Sequence, residues 1–558
     1  MATVITPSEG KLYTTDYETF HILDPVTDVP LTTFTGAKLA NKSLPGDLVR
    51  QDASGGCQLA ARADHPPIVG VIETASKTRY GFTSRGIPIY LFVPADKAYP
   101  PFIVGCSEKD TTRNYIGLIK FDNWDGAGNL PRGALQKIIG PVGCKEAEEE
   151  ALLWQYAPVT VHKTAGDLGT DDCPNRMPLT GFTFNIDPVG CRDVDDVITV
   201  DGKTITITIA DVAARITELS YQDMVASIIG QTLYKDGAAV RPMLHKSFSE
   251  DALSLLPGKE RLGVSLSFDW DGHTRSNFRW HETRLTNQRS FTYEEAVTGS
   301  CPEMDLLAAA AGAGPGADSH EWIAEMMKLY NLEAAALLAD AGTGILRAHA
   351  APDLERLAKY ATWDPSLTSL AASAAKYVDA GAGMEATHHY GLAAAAYCHA
   401  TSPIRRYADL MNQRILKQII RGNKKNLVVS CSLHDLNLRA KAAKAYERDL
   451  CFLRAILTED AVAAAAAAGA KKFDGRILDI IPLNDGTEVK LRIWINSWHR
   501  TISAHYKAVV DGLGWRIRSR DEKNEYKVAE GDLVVINIAT NMAARRWKDR
   551  LVVSVSTV

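Results

Sequence analysis

The sequence predicts a multidomain chain, α/β plus all-β, with β-rich regions at both ends and a mixed α/β region between them. Three observations lead to this prediction. The length of 558 residues suggests three or four domains. Residues 1–155 consist of short β-branched and aromatic runs separated by Gly, Pro, Asp and Asn, and long helical patterns appear only after them. The composition, 46% hydrophobic and 23% charged, excludes a wholly disordered or fibrous chain.

The first 157 residues contain six strand-like runs at the spacing of small barrels. The runs are GKLYTT, TFHIL, GDLV, PIVGVIE, IPIYLFVP and YIGLIKF. We expect an abbreviated barrel in residues 1–60 and a second barrel in residues 61–157. A connector helix is predicted over residues 145–157, where acids occupy the first turn and an apolar stripe follows.

The region over residues 158–465 mixes strands and helices. DVITV and KTITITIADV read as strands on either side of a turn, and helical patterns cover residues 321–341 and 433–457. The alanine-rich segment 306–319 predicts a surface loop, because three glycines and a proline interrupt it. A second alanine-rich segment, residues 461–470, predicts a domain boundary.

Residues 471–558 are β-rich again and differ in charge from the rest of the chain. The strand-like runs are FDGRILDIIP, EVKLRIWIN, DLVVINIAT and RLVVSVST. This segment holds 16 Lys and Arg against 11 Asp and Glu, a net charge of +5, whereas the whole chain carries −5. A small basic barrel is typical of a nucleic-acid-binding OB fold. A solvated charged surface explains the charge equally well.

Several classes of protein are excluded by the sequence. No run approaches the roughly 20 apolar residues that span a bilayer, so we expect no membrane association. The N-terminus lacks a basic start followed by an apolar stretch, so the protein is not expected to be secreted. The nine cysteines contain no CxxC pair, which favours the cytoplasm or another reducing intracellular compartment.

The segment NIDPVGCRDVDD, residues 185–196, carries four acids: Asp187, Asp193, Asp195 and Asp196. No regular helix or strand puts all four on one face, but the proline and glycine between them allow a loop that gathers them. Carboxylates so close together repel unless cations lie between them, and Mg²⁺ is the natural occupant. Two such ions can activate a water and stabilise the leaving oxygen of a phosphodiester. An acidic surface turn or a calcium loop is the alternative, although the spacing is not that of an EF-hand.

A second segment, HATSPIRRYADL, contains two adjacent arginines, Arg405 and Arg406. Thr401 or Ser402 is predicted to cap a helix that begins at the following proline. Basic side chains are unfavourable in the first turn of a helix unless an anion is bound there, so a bound phosphate explains the arginines. Salt bridges to nearby acids are the alternative.

These two segments together resemble the RNB catalytic domain of the ribonuclease II family of 3′-to-5′ exoribonucleases. The motifs, in family order, are IDPVGCRDVDDV, IADV, RPMLHKSFSEDALSLLPGKERLGVSL and YCHATSPIRRYADLMNQRIL. The resemblance implies cold-shock-type OB barrels before the RNB domain and a C-terminal OB barrel after it. Within the family the sequence is most similar to the catalytic exoribonuclease of the eukaryotic exosome, without its N-terminal endonuclease domain. Val197, Gln413 and the alanine-rich residues 306–317 depart from the family pattern, but none is a catalytic acid.

The resemblance also implies roles for individual residues. The four acids would hold Mg²⁺, with Mn²⁺ as a substitute, and Asp195 is the one whose loss should stop hydrolysis. Arg405 would contact the scissile phosphate. The other residues implied in catalysis or RNA binding are Tyr293, Glu447, Tyr234 and Arg406. Core packing is the alternative for both tyrosines, and a surface ion pair is the alternative for Glu447.

Two further residues of the motifs receive predictions. Asp211 is expected to be structural, bonding its own loop rather than metal. His399 is expected to be either a core residue or a neighbour of the site.

The sequence therefore predicts a Mg²⁺-dependent hydrolytic exoribonuclease that degrades single-stranded RNA to nucleoside 5′-monophosphates. Its terminal barrels would guide the strand by charge and stacking, and a decay complex or a helicase is a conceivable partner. A non-catalytic RNA-binding protein on the same scaffold and a nuclease that prefers DNA are the alternatives.

Overall fold

The computed structural model describes residues 9–25, 28–125, 128–159, 165–298, 301–312, 318–423, 427–457, 471–483, 486–511, 514–518, 525–541 and 543–557. The chain forms two compact units. The first comprises Met1–Val159, Thr362–Pro365 and Ala445–Val558, and the second comprises Thr160–Ala361 and Ser366–Lys444. The alanine-rich segment 461–470 lies outside the described residues, and the division into four domains stays a prediction.

The N-terminal residues form a five-stranded antiparallel sheet. Its strands are β1 (Glu9–Thr14), β2 (Thr19–Leu23), β3 (Pro30–Thr35), β4 (Leu48–Gln51) and β5 (Cys57–Ala61). Their order is β3-β2-β1-β4-β5. Side chains alternate along β1, and the inward-facing Leu12 packs with Phe20 and Val49 in a small apolar core.

The next five strands close into a barrel, as the sequence predicts. They are β6 (Ile68–Ile72), β7 (Ile89–Pro94), β8 (Phe102–Gly105), β9 (Tyr115–Asn123) and β10 (Arg132–Pro141), in the order β10-β8-β7-β6-β9. The connector helix α1 (Lys145–Tyr156) packs Ala147 and Ala151 against Val69 and Leu118 on the barrel wall.

A seven-stranded sheet forms the centre of the second unit. Its members are β11 (Met177–Pro178), β12 (Phe182–Ile186), β13 (Asp196–Asp201), β14 (Thr204–Ala210), β17 (Glu260–Trp270), β18 (Arg275–Thr286) and β19 (Arg289–Phe291). The order is β11-β18-β17-β14-β13-β12-β19. Two small hairpins accompany it. They are formed by β15 (Leu233–Lys235) with β16 (Ala238–Arg241) and by β20 (Ile345–Ala348) with β21 (Lys376–Asp379).

Helices connect and cover these strands. They are α2 (Tyr221–Ile229), α3 (Tyr293–Thr298), α4 (Pro302–Ala311), α5 (Ser319–Ala341), α6 (Leu354–Trp363), α7 (Met384–Thr387), α8 (Tyr407–Ile420) and α9 (Leu433–Leu457). The long helix α5 buries Met326 and Tyr330 in the same apolar cluster as Ile205 and Ile207 of the sheet. No helix in the described part of the chain is both long and apolar enough to cross a membrane.

One local prediction about this region is wrong. The alanine-rich segment 306–319 is not a loop throughout, because α4 extends to Ala311 and α5 begins at Ser319. Four consecutive alanines favour helix, and Gly312 ends it in the left-handed conformation with a φ of 65°. Residues 313–317 lie outside the described part of the chain.

The C-terminal residues form a second seven-stranded sheet. Its elements are β22 (Lys471–Leu483), β23 (Glu488–Ile495), β24 (Arg500–Asp511), β25 (Gly514–Arg518), β26 (Glu525–Val528), β27 (Leu533–Thr540), the short helix α10 (Trp547–Arg550) and β28 (Leu551–Thr557). The order is β26-β25-β24-β23-β22-β27-β28. The four strands predicted from the sequence are present, and β24, β25 and β26 lie among them.

The α10 region belongs to the same compact unit as the second barrel and makes buried contacts with it. Arg550 forms an ion pair with Glu148 of α1 in which both side chains are almost fully buried. Arg546 donates to the backbone oxygen of Pro94 at 2.9 Å. The multidomain α/β plus all-β prediction is confirmed, and the C-terminal sheet is anchored to the second barrel.

Candidate active site

The acidic loop starts and ends at one edge of the central sheet. Asp187 follows β12, Asp196 opens β13, and these two strands pair antiparallel. Within the loop, Cys191 donates its backbone N–H to the carbonyl of Pro188 at 3.1 Å. Gly190 adopts a φ of 80°, which glycine tolerates without strain. The four acids therefore lie on one loop between two paired strands.

Asp195 is only 5% exposed, and both of its carboxylate oxygens accept hydrogen bonds. Oδ2 accepts from Nε of Arg405 at 2.9 Å, and Oδ1 accepts from the backbone N–H of Ile404 at 3.1 Å. Burial raises the pKa of Asp195 to about 7, although Arg405 and the Ile404 N–H favour the ionised form. The predicted essential acid thus contacts the predicted phosphate-binding arginine.

The other three acids differ in how they are bonded. Asn185 donates to Asp187 at 2.8 Å, and the hydroxyl of Tyr234 donates to Asp193. In the described part of the chain, the Asp196 carboxylate receives no hydrogen bond and no ion pair.

The electrostatics of these carboxylates fit a divalent cation. Burial raises the pKa of Asp187, and the nearby Asp193 adds to the shift. Burial raises the pKa of Asp196 well above its usual value, and the charges of Asp187 and Asp195 add to it. A raised pKa marks a carboxylate without enough compensating positive charge, which a bound cation supplies.

Among the described residues, the carboxylates whose oxygen atoms lie within 4.8 Å of one another are not the four predicted acids but Asp172, Asp211 and Glu282. Protein cations already occupy the space between them. Lys417 contacts Asp211 at 2.8 Å and Asp172 at 2.9 Å. Arg176 contacts Asp211 at 2.7 Å, and Arg421 contacts Glu282. We therefore place no metal here. Asp211 also accepts the backbone N–H of Ala214 at 2.9 Å, which is the bond within its own loop that the sequence predicts.

The arginine segment differs from its predicted geometry. Helix α8 begins at Tyr407 rather than at the proline, and neither Thr401 nor Ser402 caps it. The Oγ of Ser402 instead accepts a hydrogen bond from the Arg405 guanidinium at 2.8 Å. Burial opposes the charged form of Arg405, but the Asp195 carboxylate outweighs this and raises its pKa. Arg405 therefore reaches the acids from the turn before the helix.

Arg406 is held by a neighbouring acid. Its guanidinium bonds Asp409 at 2.8 Å, and Asp409 is completely buried. Asp409 also accepts the backbone N–H of Ser402 at 2.8 Å. The salt-bridge alternative therefore describes the contacts of Arg406, and its role in RNA binding stays a prediction.

Two predicted tyrosines lie beside the acids. The Tyr234 hydroxyl bonds Asp193 rather than packing in a core. Burial raises the pKa of Tyr293 to about 12, and the charges of Asp187 and Asp196 contribute to the shift. Glu447 is exposed on α9, in the unit that contains both terminal regions, and its role stays a prediction.

Three contacts at the site were not among the sequence predictions. Asn185 orients Asp187, and its partner Asn287 is fully buried and donates to it at 2.8 Å. His399, the first residue of the arginine segment, bonds the hydroxyl of Tyr377 through Nδ1 at 3.0 Å. His320 stacks on Tyr293, with ring centroids 3.5 Å apart. Only Asn185, the first residue of the acidic segment, carried a signal in the sequence.

Comparison with known proteins agrees with these observations. Residues 179–301 and 314–422 match the RNB domain, and residues 89–157 match the Dis3-like cold-shock domain 2. The probable exosome complex exonuclease RRP44 of Caenorhabditis elegans is 23% identical over 457 residues, which is 63% of this chain and 48% of that protein. The chain spans about half the length of the curated relatives it matches.

Solved structures share the fold. RNase R of Mycoplasma genitalium, in complex with ribose methylated single-stranded RNA, has a TM-score of 0.70 and 16% identity and covers 98% of this chain and 100% of that chain. Yeast Ssd1, a pseudonuclease, has a TM-score of 0.64 and 15% identity and covers 96% of this chain and 82% of that chain. All four predicted acids and Arg405 lie within the matched RNB segments, and the resemblance to the RNB domain seen in the motifs is confirmed.

Proposed function

We propose that this chain is a divalent-metal-dependent exoribonuclease that hydrolyses single-stranded RNA from its 3′ end and releases nucleoside 5′-monophosphates. The observation that carries the proposal is the contact between Asp195 and Arg405. This contact brings an acid of a cluster suited to metal binding next to an arginine suited to phosphate binding. The two residues are 210 positions apart in the sequence.

The residues divide the chemistry between them. Asp187, Asp193, Asp195 and Asp196 would hold Mg²⁺, with Mn²⁺ as a substitute. When bound, the metal supplies a positive charge that activates water and stabilises the leaving oxygen. The Arg405 side chain is 41% exposed, so its guanidinium remains accessible to a phosphate oxygen while Asp195 and Ser402 orient it. The Tyr234 hydroxyl fixes Asp193.

The main alternative is an RNA-binding protein without activity on the same scaffold. The fold shared with yeast Ssd1 is compatible with it. All four acids are nevertheless present, on the loop between β12 and β13, which favours the enzyme. A nuclease that prefers DNA is a further alternative, and a pair of labelled RNA and DNA homopolymers separates the two substrates. A decay complex or a helicase as partner also stays a proposal.

Chelation is expected to abolish RNA hydrolysis, and Mg²⁺ or Mn²⁺ is expected to restore it. The reason is that carboxylates with raised pKa values lack the positive charge that a metal would bring. The measurement is product analysis on 5′-labelled single-stranded RNA in EDTA and after metal addition. Successive shortening from the 3′ end supports the proposal, and full activity in EDTA contradicts the metal assignment.

Removing two positive charges from the C-terminal sheet is expected to weaken RNA binding moderately. Lys490 and Arg500 stand on β23 and β24, and Arg500 is exposed. If both contact phosphates, Lys490→Gln with Arg500→Gln should reduce the slope of log Kd against log salt by about 2. Substitution is preferable to truncation, because removing α10 would leave Glu148 buried without Arg550. An unchanged salt slope would mean that the basic charge is only a solvated surface.

A further inference from the structure

Tyr293 is placed next to the acids by the sheet. Strand β19 runs parallel to β12, with Phe291 opposite Ile186, and Asp187 donates its backbone N–H to the carbonyl of Phe291 at 3.0 Å. Tyr293 and Asp187 therefore both follow the ends of paired strands. Thr292 fixes the start of α3, because its hydroxyl accepts the N–H of Glu295 at 3.1 Å. The backbone of Tyr293 thus has a defined position beside the cluster.

The first residues of α5 hold Tyr293 by two independent contacts. The buried Ser319 donates its hydroxyl to the carbonyl of Tyr293 at 2.7 Å. The imidazole of His320 lies on the phenol ring with a centroid separation of 3.5 Å and an interplanar angle of 11°. Asp318 caps the helix by accepting the N–H of Glu321 at 3.1 Å, and its other oxygen lies 3.5 Å from Nδ1 of His320. The position of the imidazole is therefore set by the helix start.

The docking of α5 does not require this stacked pair. Ser319 already bonds the backbone of Tyr293, and the helix buries an apolar face that includes Met326 and Tyr330. The His320 side chain nevertheless remains 60% exposed. A parallel stack of two rings that ends in an exposed ring can accept a third flat ring. Nucleobases stack on such surfaces with little regard to sequence, because every base has a π-face.

We propose that His320 and Tyr293 form a stacking platform for a base near the 3′ end of the RNA, with His320 as the residue in contact with the base. This inference rests on the proposed function, since it assigns a place to the same substrate. It adds a binding residue that no motif of the RNB segment contains. Purines should benefit more than pyrimidines, because their larger ring system overlaps more of the imidazole.

The test uses the full-length chain and a single-stranded RNA that carries 2-aminopurine at its 3′-terminal position. Stacking quenches the fluorescence of this base. In an Asp195→Asn background, His320→Ala should relieve the quenching and weaken binding by about 10-fold, the effect typical of losing one stacked base. His320→Phe should retain both, because phenylalanine keeps the flat ring. The matched control is His273→Ala, which alters an exposed histidine in the turn between β17 and β18.

The same substitutions made with Asp195 intact give a second measurement. His320→Ala should raise KM more than it lowers kcat and should reduce the preference for a 3′ purine over a 3′ pyrimidine. The platform would be overturned if His320→Ala matched the parent in quenching, in RNA affinity and in purine preference. Loss of binding in His320→Phe as well would assign His320 a charge or polar role and overturn stacking. If the parent chain, with Asp195 intact, does not degrade RNA, the proposed function is contradicted instead. The failure of the stacking platform and the failure of the proposed function therefore give different results.

Discussion

Asp195→Asn is expected to lower the single-turnover rate of RNA hydrolysis by at least about 100-fold, equivalent to ~3 kcal/mol. The substitution keeps the size of the side chain but removes the ionised oxygens that Arg405 and the Ile404 N–H now orient. RNA affinity is expected to stay within a few-fold of the parent, because binding is spread over many phosphate and stacking contacts. The measurements are decay of a 5′-labelled RNA and equilibrium binding of the same RNA.

Two controls separate lost chemistry from lost structure. Glu294→Gln removes an exposed carboxylate from α3 and should leave the rate unchanged. Thermal melting without metal should show that Asp195→Asn is not destabilising. The pKa of Asp195 in the fold, about 7, exceeds its ordinary 3.8, so the ionised form opposes folding. The variant should gain stability relative to the parent above about pH 7 and lose that advantage as the pH falls toward 4. Hydrolysis at the parental rate would exclude the acids as the catalytic centre.

The acidic cluster could be predicted from the sequence because all four acids lie within one short segment. Four acids around a proline and a glycine leave few ways to satisfy their charges, and the structure places them on one loop, as the sequence predicts. Its most informative contact is not local: the pairing of Asp195 with Arg405 depends on a fold that joins positions 210 residues apart. The sequence predicts Arg405 as a phosphate ligand on the assumption that a helix begins at residue 403, but the helix begins at Tyr407.

The missed elements have a similar physical explanation. The strands predicted in the C-terminal region have buried runs or regular alternation, as in β23. Strand β26 has only four residues, and its β-propensity is diluted by charged side chains. Such strands form because a neighbouring strand offers hydrogen bonds, which the sequence of the strand itself does not record. The stacking of His320 on Tyr293 is likewise a tertiary contact without a local pattern.

The buried ion cluster of the second unit gives the largest expected effect on stability. Lys417→Met should lower the free energy of unfolding of this unit by about 3 kcal/mol or more, because it leaves buried carboxylates short of positive charge. Lys417 is 2% exposed and contacts Asp211, which is fully buried, as well as Glu282, which is 5% exposed. Methionine has nearly the shape of the lysine stem, so the loss is mainly electrostatic. Urea unfolding followed by circular dichroism measures it.

The matched control for Lys417→Met is Lys259→Met, the same substitution at an exposed ion pair. Lys259 contacts Asp251 at 2.6 Å with both side chains about half exposed, so the loss of this pair should change the free energy of unfolding far less than the loss of Lys417. Adding Mg²⁺ should not rescue Lys417→Met, since Arg176 and Arg421 still occupy the space between the carboxylates. Rescue by Mg²⁺ would show that this trio binds metal. Equal losses in the two variants would mean that burial does not strengthen the Lys417 contacts, and the cluster would then contribute no more than a surface pair.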